Sequence, residues 1–192
     1  MGNKTFKRII LFASGSGTNV ENIVEYFQSN SQLEAVMVFT NNPKAGVIDR
    51  ISSTKIPVTI FDKNQLTDGQ LLNQIQLLNP DLIVLAGFLL KIPLDFTQVF
   101  SGKIINIHPS LLPKHGGKGM YGERVHQSVK DDGDTETGIS IHFVNEHYDE
   151  GSIIFQAKVS VDEKDTVQDI ADKVHQLEYK HYPEVIQNLL FE

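Results

Sequence analysis

The sequence predicts one α/β domain, residues 1–192, built on a doubly wound, mostly parallel sheet with an antiparallel edge. Three observations carry this prediction. Short, continuously apolar runs alternate with segments whose apolar residues recur every three to four positions, the pattern of buried parallel strands joined by crossover helices. The first apolar run leads directly into a glycine-rich turn, Ser14-Gly15-Ser16-Gly17-Thr18-Asn19, that opens a helix. Two late segments switch to strict alternation and read as a hairpin at one side of the sheet.

Ile9 to Ala13 is the first strand, bounded by Ser-Gly. A helix follows from Asn19, with Val20, Ile23, Val24 and Phe27 on one face. Ala35 to Phe39 is a strand, Val47, Ile48 and Ile51 mark a helix, and Val58 to Phe61 is the next strand. Leu71, Leu72, Ile75 and Leu78 mark a helix that Asn79-Pro80 ends. Leu82 to Ala86 is a central strand, and Ile104 to Ile107 is another. From His108 to Gly122 two prolines and four glycines stand in a stretch without periodicity. Long ordered loops of this kind in compact domains are usually functional. Beyond a helix near Val125, the alternating segments are Gly138 to Val144 and Ile153 to Val161. The first puts Ile139, Ile141 and Phe143 on one face, the second Phe155, Ala157, Val159 and Val161. A long helix from about Thr166 carries Val167, Ile170, Ala171, Val174 and Leu177 as its apolar stripe.

Composition narrows the function. With 40% hydrophobic and 8% aromatic residues the chain has enough apolar surface to close a core. It has no cysteine, which excludes a disulfide framework, a thiolate nucleophile, an iron–sulfur cluster and Cys-ligated zinc. Seventeen basic and 24 acidic residues give a net charge of −7. That charge disfavours sequence-independent nucleic-acid binding, which needs cations on phosphates. No apolar run approaches the ~18 residues that span a bilayer. Gly2 lacks the Ser or Thr of a myristoylation signal, since Phe6 stands at that position. The expectation is a cytoplasmic protein with no membrane partner.

Four places carry candidate chemistry. The 14–19 turn offers backbone N–H groups at a helix N-terminus, an anion site; the alternative is a tight turn capped by Asn or Thr. It matches neither G-x-G-x-x-G, because Val20 stands at the last position, nor a P-loop. Asn106 and His108 lie two apart at a strand end, so both point to the same side of the sheet, at its carboxyl edge. An amide can donate to an oxyanion and an imidazole can exchange a proton near neutrality; a capping Asn with a structural His is the alternative. Asp149, within Tyr148-Asp149-Glu150-Gly151, could orient and charge an imidazole and raise its pKa, or belong to a simple turn. His142 and His147 do not match a metal-ligand spacing, and no metal is expected. Glu178, four after Val174, falls on the inward stripe of the last helix, where a carboxylate needs a partner. A substrate amine or amide is one candidate, and a basic side chain, with His181 on the same stripe, is the other.

Together these residues resemble the folate-dependent formyltransferases, and within them the phosphoribosylglycinamide formyltransferase family. Asn106-Ile107-His108-Pro109-Ser110-Leu111-Leu112-Pro113 looks like the family hallmark. Gly138 to Val144 followed by Tyr148 to Gly151 looks like the second. The Ser-Gly-Ser-Gly-Thr-Asn turn and Leu85-Ala86-Gly87-Phe88 also fit, and the resemblance covers essentially the whole chain.

The resemblance implies transfer of a formyl group from 10-formyltetrahydrofolate, as co-substrate, to the amine of glycinamide ribonucleotide in purine synthesis. It implies Asn106, His108 and Asp149 as the catalytic trio, and Gly17, Thr18 and Asn19 as the substrate-phosphate turn. Leu89, Leu90, Lys91 and Ile92, with Asn106, would bind folate, and Glu178 would contact the ribonucleotide. The amine would attack the formyl carbon directly. Asn106 and a protonated His108 would hold the oxyanion, and Asp149 would keep His108 charged. With no thiol to carry the formyl group, direct transfer fits. Lys114 to Glu123 reads as a longer loop than many relatives carry, and Asn64 beside Lys63 stands where a folate-tail cation would help. Both implied substrates are anionic, so binding must come from local donors rather than from global steering. A monomer or weak homodimer is expected. Three rivals share features. A methionyl-tRNA formyltransferase would need a further C-terminal domain, and a formyltetrahydrofolate hydrolase would leave the turn without a role. A nucleotide-binding module would leave Asn106, His108 and Asp149 unexplained.

Overall fold

The computed structural model describes residues 6–30 and 32–192; the segment around Gly2 lies outside the described residues. The strands are β1 (Lys7–Phe12), β2 (Leu33–Thr40), β3 (Val58–Ile60), β4 (Leu82–Leu85), β5 (Ile104–His108), β6 (Glu136–Phe143) and β7 (Ile153–Ser160). The helices are α1 (Thr18–Phe27), α2 (Val47–Arg50), α3 (Lys63–Thr67), α4 (Gln70–Leu78), α5 (Leu94–Val99), α6 (Glu123–Asp131) and α7 (Val167–Phe191). One seven-stranded sheet runs in the order β3-β2-β1-β4-β5-β6-β7. The first five of these neighbours are parallel, and β6 runs antiparallel to both β5 and β7. The fold class is therefore the one the alternation of apolar runs predicts, with the hairpin at one edge.

Successive residues of the central strands feed two cores. Ile9 and Leu11 of β1, Leu82 and Val84 of β4, and Ile105 and Ile107 of β5 pack on the side covered by α1, α2 and α7. Ile10 and Phe12, Ile83 and Leu85, and Ile104 pack on the opposite side with α3, α4 and α5. Burial on both faces explains why these strands read as continuous apolar runs. Two helices were not expected. α3 and α5 have five and six residues, too few for a recurring apolar period. A signal for α3 was present in Asp62 and Gln65, which form a reciprocal capping box.

The long α7 begins at Thr166, whose side chain forms a capping box with Asp169, and it continues through Pro183. Proline has no N–H to give the carbonyl four residues earlier, here Tyr179. Asn22 of α1 supplies the missing donor, its Nδ2 lying 2.8 Å from the Tyr179 oxygen. One turn on, the fully buried Tyr182 donates its hydroxyl to the Leu85 carbonyl at 2.9 Å, with the Ile105 carbonyl at 3.5 Å. The phenol thus ties α7 to the carboxyl end of β4, from which one segment of the site emerges, and reaches the neighbouring β5 near its start. Removing one partner from a buried hydrogen bond typically costs about 1–3 kcal/mol. Tyr182→Phe is expected to lower the urea unfolding free energy by about that amount with an unchanged denaturant slope. A variant as stable as the parent would remove this tie from the account of the fold.

Candidate active site

The chain reverses its direction of winding between β1 and β4, the place where open α/β sheets leave a crevice. A cleft of about 540 Å³ opens there. The loops after β1, β4 and β5 line it, together with the β6–β7 connection and one side each of α6 and α7. Gly17, Thr18, Asn19, Leu89, Leu90, Lys91, Ile92, Asn106, His108, Asp149 and Glu178 all face this one cleft. The sequence positions that looked functional are thus brought together, although they span most of the chain.

At its centre the antiparallel register sets Asn106 opposite His142 and His108 opposite Ser140. His142 Nδ1 donates to the Phe143 carbonyl at 2.8 Å, which leaves Nε2 to accept from the Asn106 amide nitrogen at 3.2 Å. This orients Asn106 with its second N–H free for a ligand. His142 is a functional candidate that the sequence reading weighed only as a metal ligand; its place two residues after Ser140 on an inward-facing register was the signal available. His108 Nε2 donates to the His115 carbonyl at 2.8 Å, and its Nδ1 faces Asp149 Oδ2 at 3.5 Å. Asp149 Oδ1 lies 3.6 Å from His142 Nε2, and Oδ2 accepts the Gly117 N–H at 2.8 Å. Among the described residues no group of three or more His, Cys, Asp or Glu is arranged to hold a metal.

The protonation of this centre corrects one expectation. Burial pushes the His108 pKa down, Asp149 and the His115 carbonyl push it up, and the His142 and His115 rings push it down; the net is below 6.5. Asp149 does favour the charged imidazole, but desolvation outweighs it, so His108 rests neutral rather than protonated. Burial also raises the Asp149 carboxyl, while the nearby His142 and His108 rings and the Gly117 N–H outweigh it and hold the acid below its ordinary range. The resting pair is therefore a neutral imidazole against a carboxylate.

The glycine-rich turn is held from outside. Val47 N–H donates to the Gly15 carbonyl, and Arg50 Nε to the Ser16 carbonyl. The buried Ser14 hydroxyl donates to Asn41 Oδ1 at 2.6 Å and accepts the Leu89 N–H at 2.9 Å, joining this turn to the β4 loop. Gly17 is the N-cap, at φ 77° with no side-chain cap, so neither Asn19 nor Thr18 closes the helix end. An added Cβ at Gly17 would stand 2.5 Å from Val47 Cβ. Asn19 instead reaches across to Glu178, its Nδ2 2.8 Å from Oε2, and its own Oδ1 is buried without a protein partner. The alternative in which a basic side chain such as His181 partners Glu178 is not the one found: Asn19 meets it. His181 turns to Glu184 at 3.1 Å, with its ring tilted against Phe155 at 4.8 Å between centroids. Burial raises the Glu178 pKa, while Asn19 and His175 pull it back.

Leu90 to Leu94 border a second cavity of about 370 Å³, with Lys63, Glu146 and Tyr148. The Lys91 ammonium stands 5.8 Å from the Tyr148 ring centroid, within cation–π range. Lys63 supplies a cation beside the position where Asn64 lacks one.

His126 of α6 was not singled out by the sequence. Its side chain is 3% exposed, its Nδ1 has no protein partner, and its ring lies edge-on to His175 of α7. Burial, then His175 and His108, lowers its pKa to about 4. A histidine depressed in the folded state is protonated more readily when unfolded, so the stability tied to it is present above pH 6.5. It is lost as pH falls toward 4. His126→Gln is expected to flatten the decline in unfolding free energy between pH 6.5 and 4. An unchanged pH profile in chemical denaturation would rule out His126 as a source of that decline.

The formyl transferase family model matches residues 7–186. Phosphoribosylglycinamide formyltransferase of Bacillus subtilis is 38% identical over 190 residues, covering 96% of this chain and 95% of the relative. That of Haemophilus influenzae is 37% identical over 187 residues, covering 94% and 86%. The chloroplastic enzyme of the same name from Arabidopsis thaliana is 38% identical, and this chain spans 64% of its length. The crystal structure of phosphoribosylglycinamide formyltransferase from Bacillus halodurans superposes with a TM-score of 0.88 at 32% identity, over 97% of this chain and 96% of that one. The Brucella melitensis structure of the same name superposes at 0.86 with 31% identity, over 97% of each. The chain belongs to the formyl transferase family, among its phosphoribosylglycinamide formyltransferase members.

Proposed function

We propose that the protein transfers the formyl group of 10-formyltetrahydrofolate to the amine of glycinamide ribonucleotide, the reaction of purine synthesis that its relatives' names describe. The observation that carries the reading is the convergence of Asn106, His108 and Asp149 in one cleft with an uncapped helix end and the Leu89–Ile92 segment. The ribonucleotide phosphate sits on the Gly17-Thr18-Asn19 turn, where first-turn N–H groups have no side-chain cap. Glu178, held by Asn19, contacts the rest of that substrate. The pterin lies along Leu89, Leu90, Lys91 and Ile92 near Asn106, and its acidic tail points to the second cavity with Lys63 and Lys91.

The chemistry then uses the resting protonation. The neutral amine attacks the formyl carbon, forming the new C–N bond as the carbonyl electron pair moves to oxygen. The free Asn106 N–H holds that oxyanion. His108 Nδ1, unprotonated at rest, takes a proton from the attacking amine, directly or through water, and the new imidazolium pairs with Asp149. Collapse of the intermediate breaks the bond to the folate nitrogen, which receives the proton from Nδ1.

Losing one oxyanion donor or one acid–base group typically costs ~10²–10³ in turnover. Asn106→Ala and His108→Ala are each expected to lower kcat by at least roughly that factor. The reading itself is tested by incubating the protein with 10-formyltetrahydrofolate, with and without glycinamide ribonucleotide, and following release of tetrahydrofolate. Release that depends on the ribonucleotide supports transfer. Release without it identifies a hydrolase, and none under either condition identifies a binding module. Gly17→Ala is expected to raise KM for the ribonucleotide more than KM for the folate, because the clash with Val47 displaces the turn.

A further inference from the structure

His115 stands in a stretch rich in glycine, yet its backbone has φ 55°, a left-handed conformation that glycine adopts without strain and that costs a residue with a Cβ. Its side chain is 5% exposed and bonded at both ring nitrogens. Nε2 donates to Asp134 Oδ2 at 2.8 Å, and Nδ1 lies 2.8 Å from the Ser128 hydroxyl of α6. Asp134 is held in turn by the Lys114 ammonium. Those bonds place the His115 carbonyl, whose partner is His108 Nε2.

We propose that His115 is a positioning residue: its imidazole, clamped between Ser128 and Asp134, holds its own carbonyl against His108 and so selects the tautomer in which Nδ1 is the basic nitrogen. Without that acceptor either nitrogen of His108 can carry the proton. In the wrong tautomer an N–H at Nδ1 faces Asp149, and no base is left to meet the attacking amine. The strained histidine where a glycine would sit more easily is explained by the need for a side chain that anchors the loop to α6. The groups facing His108 are Asp149 on the β6–β7 connection, His142 on β6, His126 on α6 and His115 itself. Of these only the His115 carbonyl engages Nε2.

The inference rests on the catalytic role assigned to His108, and its test separates the two. His115→Gly relieves the backbone strain as it removes the clamp, and circular dichroism and the denaturation midpoint of the variant show that the readouts below come from a folded protein. Nitrogen NMR of the labelled imidazoles is expected to change from a single His108 tautomer, protonated at Nε2, to a mixture. kcat is expected to fall by the factor to which the Nε2-protonated fraction falls, roughly two- to tenfold for a mixture, with KM for both substrates held. The acid limb of the kcat profile moves to lower pH, because an interaction favouring the charged imidazole is gone. His115→Asn, which tolerates the left-handed backbone and keeps a side-chain hydrogen bond, is expected to recover part of each effect. A single unchanged tautomer in His115→Gly overturns the inference, as does a mixture with unaltered kcat while His108→Ala is inactive. Full turnover in His108→Ala overturns the catalytic reading of His108 and this inference with it.

Discussion

One register, that between β5 and β6, organises the rest of the molecule. It pairs Asn106 with His142 and His108 with Ser140, and it puts Ile105, Ile107, Ile139 and Ile141 on the other face, in the larger core. The two faces are not energetically equal. Full burial of an isoleucine contributes about 1.5–3 kcal/mol, while a polar contact contributes about 1 kcal/mol. The isoleucines therefore decide the pairing, and the polar quartet follows on the opposite face because side chains alternate. A slip of one residue would send every isoleucine out of the core and every site residue into it, so the hydrophobic term guards the register of the chemistry.

The same register anchors the long loop. Ser140, opposite His108, donates its hydroxyl to the Ser110 carbonyl at 2.7 Å and accepts the Leu112 N–H at 2.9 Å. Gln156 of β7 reaches both Ser140 Oγ and the Leu112 carbonyl. The loop so pinned carries His115 back to His108 and Gly117 to Asp149. Gly151 closes the other side: a Cβ there would lie 1.7 Å from the Phe143 carbonyl oxygen, the same oxygen that takes the His142 proton. Only glycine lets the chain after Asp149 pass so near β6, and that passage brings the carboxylate within reach of both histidines.

Much of the fold was legible because it rests on local patterns. Continuous runs such as Leu82 to Leu85 are buried on both faces, and the alternation of Ile139, Ile141 and Phe143 marks a strand with one polar face. That Asn106 and His108 lie on one side of the sheet was legible from spacing, since two residues apart on a strand means one side, whereas grouping Asp149 with them in one cleft came from resemblance. Other features depend on contacts that spacing does not encode. Asn19 and Glu178 are 159 positions apart, and helical periodicity showed only that Glu178 points inward, not what meets it. The neutral state of His108 depends on how deeply the cleft buries it, a quantity absent from the order of residues. His126 reads as an ordinary helix position until α7 covers it.

The charge state of the centre follows from these burials and bears on the chain's net −7. Asp149 is ionised and His108 neutral, so the resting site carries a negative charge. That would oppose an anionic nucleophile. An amine is different: it arrives neutral and becomes positive as it attacks, so a nearby carboxylate and an empty Nδ1 stabilise the state that develops rather than the one that binds. The phosphate and carboxylates of the proposed substrates must then be met away from this centre. The helix end at Gly17 lines the cleft, and Lys63 and Lys91 border the second cavity, which shares Leu90, Lys91, Ile92 and Tyr148 with it. On the proposed function, meeting the anionic groups at the turn and at Lys63 and Lys91 rather than at Asp149 would let one small acidic protein hold two acidic substrates and still favour proton removal from the amine.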